Sequence, residues 1–259
     1  MTSFPAWVLL IGLIVLIAGG AVLAQRYVRR RYPSLTGDEH NDVLKFTYGF
    51  IGFIYAFLIG FVVSSMWGQI NTADANAHAE GAAAVQLAKD SMVFDAADSD
   101  RVRQALLSYG NAAVTEWSQA GEGNSSDADA ALARVYTAYE QVQPKNDTQK
   151  TFLATSLSNL DKVSQARTVR LITASDDTGP PWPLWAVIFL TSGLVLATVI
   201  MYGVERPALH YPMVAIVGVV VATNLFLILE LAHPYFGVIS TSSKSMQEAV
   251  AVLSRPVGQ

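Results

Sequence analysis

The sequence predicts an all-α membrane protein: four transmembrane helices, with an antiparallel helical bundle inserted between spans 2 and 3 and span 2 continuous with the first bundle helix. Three observations carry this reading. Four apolar stretches are long enough to cross a hydrocarbon core of ~30 Å, namely Trp7 to Ala24, Phe46 to Trp67, Leu184 to Gly203 and Met213 to Leu231. About 115 polar, alanine-rich residues separate the second stretch from the third. No proline interrupts the chain from Phe46 to Val93, so at ~1.5 Å per residue one helix serves first as a membrane span and then as a bundle helix. Composition agrees, because 52% apolar and 15% charged residues are too greasy for a soluble domain and too charged for one wholly in lipid. Residues 1–67 then hold spans 1 and 2, 68–181 the extramembrane bundle, 182–232 spans 3 and 4, and 233–259 a C-terminal interfacial tail.

The first span is a retained helix and not a signal peptide, since Arg26, Arg29, Arg30 and Arg31 follow the apolar run instead of preceding it. Basic residues in short loops mark the cytoplasmic side. The loop from Gln25 to Lys45 carries five and that from Val204 to Pro212 carries Arg206, so the central domain is expected outside the cytoplasm. On the second span small residues recur every four positions, at Gly52, Ala56, Gly60, Ser64 and Gly68. In lipid such a ridge, which admits another backbone closely, is a usual place for helix contact or, around an axis, a pore. Tyr48 and Tyr55 lie on another face with Gly52 and read as packing.

After the long helix, FDAADSD supplies turn and capping residues, and Asp100 to Ala120 reads as a helix with Val102, Leu106, Tyr109 and Ala113 on one face. GEGNSSD breaks it. Ala128 to Gln143 forms the next helix, stopped by Pro144, and Asp147 to Thr173 the last, with Leu153, Leu157, Leu160 and Val163 at helical spacing. Short connections make these an antiparallel bundle. DDTGPPWP then sets Trp182 and Trp185 at the membrane interface, where indole rings are favoured. After the fourth span the tail from His233 is marginally helical and is placed along the interface.

Cysteine is absent, which excludes disulfides, thiolate metal sites and cysteine nucleophiles. No basic stripe with interleaved aromatics points to nucleic acid. No catalytic motif is present, so no enzyme is expected, and no cofactor is implied. His40, His78, His210 and His233 fall in separate elements. Asp74 and His78 share a face at i,i+4, but two ligands without a third read as a solvated pair and not a metal site.

Charges on seams that are otherwise apolar are more informative. Glu80 falls in the series Ala73, Ala77, Ala84, Leu87; Glu116 follows Leu106, Tyr109, Ala113; Arg167 and Arg170 continue Leu160, Val163. Counting from the membrane puts all four at about one height. Two acids and two arginines in one buried layer neutralise each other, as burial requires. The layer is either an ion network that fixes bundle register or a charged ring facing a conduit. Within the membrane Asn224 sits near the middle of the fourth span and Glu230 near its end. The first fits an interhelical hydrogen bond, and the second either an interfacial carboxylate or one facing a water path. Glu205 and Arg206 read as an interface pair.

The segments YAFLIGFVVSSMW, AEGAAAVQLAKDS, YGNAAVTEW, QARTVRL and LILELAHPYFGVISTSSKSMQEA, in this order, resemble the bestrophin-like family of four-span bacterial membrane proteins. The resemblance covers about Phe46 to Val252. Ala232 and His233 depart from the pattern, where an acidic residue is usual before the proline. What the resemblance implies is a homo-oligomeric anion channel of the plasma membrane with span 2 around its axis. Against the anion stands an acidic central domain, with 15 Asp and Glu to 9 Lys and Arg between Gly68 and Pro181, a field that repels anions. The alternative is a non-conducting scaffold or sensor whose outer bundle binds a partner in the envelope. Lipid and copies of the same chain are the expected partners in the first reading.

Overall fold

The computed structural model describes residues 5–32, 41–118, 126–175, 179–202, 207–235 and 238–255. These residues form helices and turns only: α1 (Ala6–Arg31), α2 (Asn41–Ser91), α3 (Ala96–Ser118), α4 (Ser126–Glu140), α5 (Asp147–Ser175), α6 (Trp182–Met201), α7 (Pro207–Leu231) and α8 (Lys244–Leu253). Among the described residues, four helices are long and apolar enough to cross a membrane: α1, α2 from Phe46, α6, and α7 from Leu209. The chain divides into two compact units, and α2 contributes to both, changing unit between Gly68 and Gln69. His40 and the expected Glu205–Arg206 pair lie outside the described residues.

The first unit contains α1, α6, α7 and the apolar part of α2. Helices α1 and α7 run antiparallel and touch backbone to backbone. A Cβ at Gly218 would meet the Ala18 Cα at 2.6 Å, so one small residue on each helix permits the approach. On the side of this point towards the end of α1, Ala21 and Val214 pack with Val199 and Ile200 of α6. Helix α7 begins six residues before the expected Met213 and carries Pro212 inside it. On α2, Tyr55, Ile59, Val62 and Met66 form the buried face. The ridge behaves differently from a contact within one chain: Gly52, Gly60 and Gly68 have nothing within 4 Å of an added Cβ. Close packing inside this unit is at Ala18 and Gly218 instead, because contact needs a partner surface as well as small residues.

The second unit is built on α2 from Gln69, with α3, α4, α5 and α8. Arg170, Asn159 and Gln149 of α5 bond Glu80, Asp90 and Val93 in turn, so α5 is antiparallel to α2. Arg134 and Gln143 of α4 and its following turn bond Ser108 and Asp98 of α3, which makes these two antiparallel as well. The core between them holds Leu87, Val102, Leu106, Tyr109, Val135, Tyr139, Leu160 and Val163. Local chemistry fixes the start of α5: Asn146 Oδ1 accepts from the Gln149 backbone N–H at 2.8 Å, and Gln149 Oε1 reaches back to accept from the Lys145 backbone N–H at 2.7 Å, one residue before the N-cap that a capping box would use.

The tail differs from the interfacial segment expected over 233–259. Its α8 packs into the second unit, with Met246, Ala249 and Leu253 in the core. Two glycines receive it. A Cβ at Gly81 would meet the Ser245 carbonyl oxygen at 2.7 Å, and one at Gly110 the Val250 Cγ2 at 2.6 Å. Ser245 Oγ donates to the Ala77 carbonyl at 2.8 Å, and Arg103 Nε donates to the Leu253 carbonyl at 2.7 Å, closing the helix C-terminus. Alternation of apolar residues in SMQEAVAVL at helical spacing is what gives this short helix a face to bury.

Candidate functional site

Glu80 of α2, Glu116 of α3, and Arg167 and Arg170 of α5 meet inside the second unit, none more than 5% exposed. Helical phase brings them together: each lies one or two turns beyond a buried apolar residue of its own helix, Ala77, Ala113 and Val163. Arg170 Nε donates to Glu80 Oε2 at 3.1 Å, and its Nη2 donates to Glu116 Oε2 at 2.9 Å. Arg167 grips the same Glu116 twice, Nη2 to Oε1 at 2.6 Å and Nε to Oε2 at 3.2 Å. The Tyr109 hydroxyl donates to Glu80 Oε1 at 2.8 Å. At the other end Arg167 Nη1 donates to Asp129 of α4 at 2.5 Å, a carboxylate whose side chain is 58% exposed. The result is one line of alternating charge, Tyr109–Glu80–Arg170–Glu116–Arg167–Asp129, that enters from solvent and ends on a buried phenol.

Electrostatics follow from this order. Burial on its own lowers the pKa of Arg170, but the charge and hydrogen bonds of Glu80 and Glu116 outweigh it and hold the guanidinium above its ordinary value. Arg167 behaves likewise, with Glu116 and Asp129 overcoming burial. Burial, reinforced by the Glu80 charge, pushes the Tyr109 phenol well above its ordinary range. The Arg170 guanidinium stacks over Trp117, 4.4 Å from the ring centre, and Trp117 meets Tyr235 edge to face at 6.1 Å. Tyr109, Asp129, Trp117 and Tyr235 are the members that the sequence reading did not assign to the layer. Every acid in the line has a cation and every cation an acid, so the chemistry is that of a rigid ionic strut, not of a proton-transfer centre.

The other expected positions are not joined to it. Glu230 is half-buried and its Oε2 accepts from the Val238 amide at 3.0 Å, which ties down the turn after α7. Asn224 is half-buried and makes no hydrogen bond among the described residues. Asp74 and His78 are exposed and 3.7 Å apart, and the described residues contain no group of three metal-ligating side chains. Of the ridge, Ala56, Gly60, Ser64 and Gly68 are exposed and Gly52 half-buried. A feature not singled out from sequence accompanies it. Phe46, Phe50, Phe53, Phe57 and Phe61 are each 58–78% exposed and, at spacings of three and four, form a stripe opposite the buried face of α2.

These features define a multi-pass helical membrane protein with a charge-braced helical bundle. The chain matches the Bestrophin-like domain over residues 15–246, and it belongs to the bestrophin-like family. No curated protein matches it by sequence. Among solved structures it is similar to two single-site variants of a bacterial bestrophin homolog from Klebsiella pneumoniae. One has 12% identity and a TM-score of 0.71 over 98% of this chain and 99% of that one; the other has 12% identity and a TM-score of 0.67 over 96% and 99%. A crystal structure described as a membrane protein variant matches at 12% identity with a TM-score of 0.72, covering 95% of this chain and 99% of the other. At these identities the likeness is one of fold.

Proposed function

We propose that the protein is a homo-oligomeric ion channel in which the membrane part of α2 surrounds the axis. The observation that supports this most is the division of α2 into two faces. Tyr55, Ile59, Val62 and Met66 are buried against the protomer, while the opposite side of the same span presents the phenylalanine stripe and the small-residue ridge. In a ring of protomers, the helix nearest the axis has its own chain behind it, neighbours at its sides and the axis in front. The phenylalanines occupy the front, where an apolar constriction gates water and ions. The ridge drifts along the flank and receives the neighbouring copy. The charge layer keeps the register of the bundle from which α2 emerges. Family membership supports conduction, and the acid excess between Gly68 and Pro181 favours cations over anions at the bundle end.

Purified protein in planar bilayers under a potassium chloride gradient tests this. Stepwise currents with a reversal potential towards the potassium equilibrium value, and larger currents from Phe57→Ala, are expected. A silent bilayer with inserted oligomers, or a species that is monomeric by mass in detergent, would remove the channel reading. The scaffold alternative gains no observation from the site.

A further inference from the structure

Beyond conduction, the arginine-rich end of α1 carries an unassigned cavity. It has a volume of about 400 Å³ and is lined by Val22, Arg26 and Arg30 of α1 and Tyr211 of α7. All four residues belong to the first unit. The antiparallel register set by Ala18 and Gly218 carries α7 to Tyr211 alongside the last turns of α1. Arg26 and Arg30 are one turn apart on one helix face, both exposed, and no carboxylate among the described residues pairs with either. Two guanidiniums at i,i+4 converge on a single small anion, and Arg forks match phosphate oxygens bidentately.

The same face of α1 continues into the span as Val22, Gly19 and Val15, beside the exposed Leu16 and Leu23, which are 71% and 67% exposed. An apolar track that ends in two arginines and a phenol matches an amphiphile with a negative head. We infer that this cavity is a binding site for the headgroup of an anionic phospholipid, with its phosphate on Arg26 and Arg30, the Tyr211 hydroxyl donating to a phosphate or glycerol oxygen, and its chains along Val15 and Val22. Basic cavities between spans at the positively charged end of a membrane protein are suited to such heads. Free phosphate shares the head chemistry but has no use for the apolar track.

Native mass spectrometry of the full chain, extracted from nanodiscs of phosphatidylcholine containing about one-fifth phosphatidylglycerol, reads the site directly. The wild type is expected to retain phosphatidylglycerol in preference to phosphatidylcholine. Arg26→Gln/Arg30→Gln should lower that preference by on the order of tenfold. Val22→Trp, which fills the cavity with every charge kept, should lower it too and guards against misinsertion of the less basic variant. Arg31→Gln, outside the lining, should retain the wild-type preference. Equal retention in Val22→Trp and wild type, or an equal loss in Arg31→Gln, would overturn the site. Displacement of the lipid by millimolar inorganic phosphate would reassign it to a soluble anion and overturn the lipid proposal.

Discussion

The Arg170 guanidinium carbon lies over the Trp117 ring, 4.4 Å from its centre, while its nitrogens bond Glu80 and Glu116. The cation is thereby enclosed by an indole on one side and carboxylates around its rim, so charge pairing and desolvation are met by the same geometry. Arg suits this position better than Lys, because only a planar group bonds in its plane and stacks on its face at once.

Removing one partner from the line leaves an opposite charge buried. Glu80→Ala is expected to cost about 3–5 kcal/mol, read as a fall in the thermal unfolding midpoint of the protein in detergent. Glu80→Ala combined with Arg170→Ala should cost less than the two single changes added together. Strict additivity would mean that the pair is not coupled.

Tyr109 gives the bundle an alkaline limit. Burial and Glu80 raise its pKa in the folded protein, so in the unfolded chain the phenol ionises first, near the ordinary 10.0. Stability from this group is therefore fully present below that pH and declines above it, by about 1.4 kcal/mol per pH unit until the folded value is reached. Tyr109→Phe should show a shallower decline by one proton. Tyr139 and Tyr235, also raised by burial, leave some decline in place.

Glycines on α2 separate folding from assembly. Gly81→Ala puts a methyl group against the Ser245 backbone and is expected to destabilise by about 1–3 kcal/mol through displacement of α8. The Cβ of Gly60→Leu would have nothing within 4 Å among the described residues, so the chain should fold normally while oligomer mass, measured by light scattering in detergent, falls. An intact oligomer in Gly60→Leu would place the ridge in lipid.

Topology is open to a cysteine scan without background, because the chain has no cysteine. Basic short loops favour an extracytoplasmic bundle. In intact cells Asp147→Cys, at a side chain that is 96% exposed, should react with an impermeant thiol reagent, and Arg31→Cys should be protected. The reverse pattern would invert the protein.

Much of this was legible in the sequence where one helix determines the outcome. Apolar length marks spans, and the phase of Glu80, Glu116, Arg167 and Arg170 is visible because each interrupts an apolar seam of its own helix. Properties that belong to two helices were not legible. Asp129 reads as an ordinary acid in the first turn of α4, and only the approach of Arg167 gives it a role. Gly218 is one small residue among many until Ala18 meets it. The helix α8 follows a stretch of sequence without apolar periodicity, and its ten residues carry too little periodic signal to show where they dock. The ridge on α2 was conspicuous by spacing, yet a Cβ added at Gly52, Gly60 or Gly68 would meet nothing within 4 Å.

The docking of α8 also sets an order of events during synthesis. Residues 244–253 leave the ribosome after all four candidate spans, yet Met246, Ala249 and Leu253 belong to the core that α2 and α3 begin. Until they arrive, the seats at Gly81 and Gly110 stand open and the α3 surface beside them is bare. The bundle therefore cannot mature while the chain is still being inserted, and its completion reports that translation has passed the last span. A premature stop between Leu231 and Lys244 would leave every span in place but an unfinished, protease-accessible domain, so quality control has a soluble handle on a membrane-embedded product.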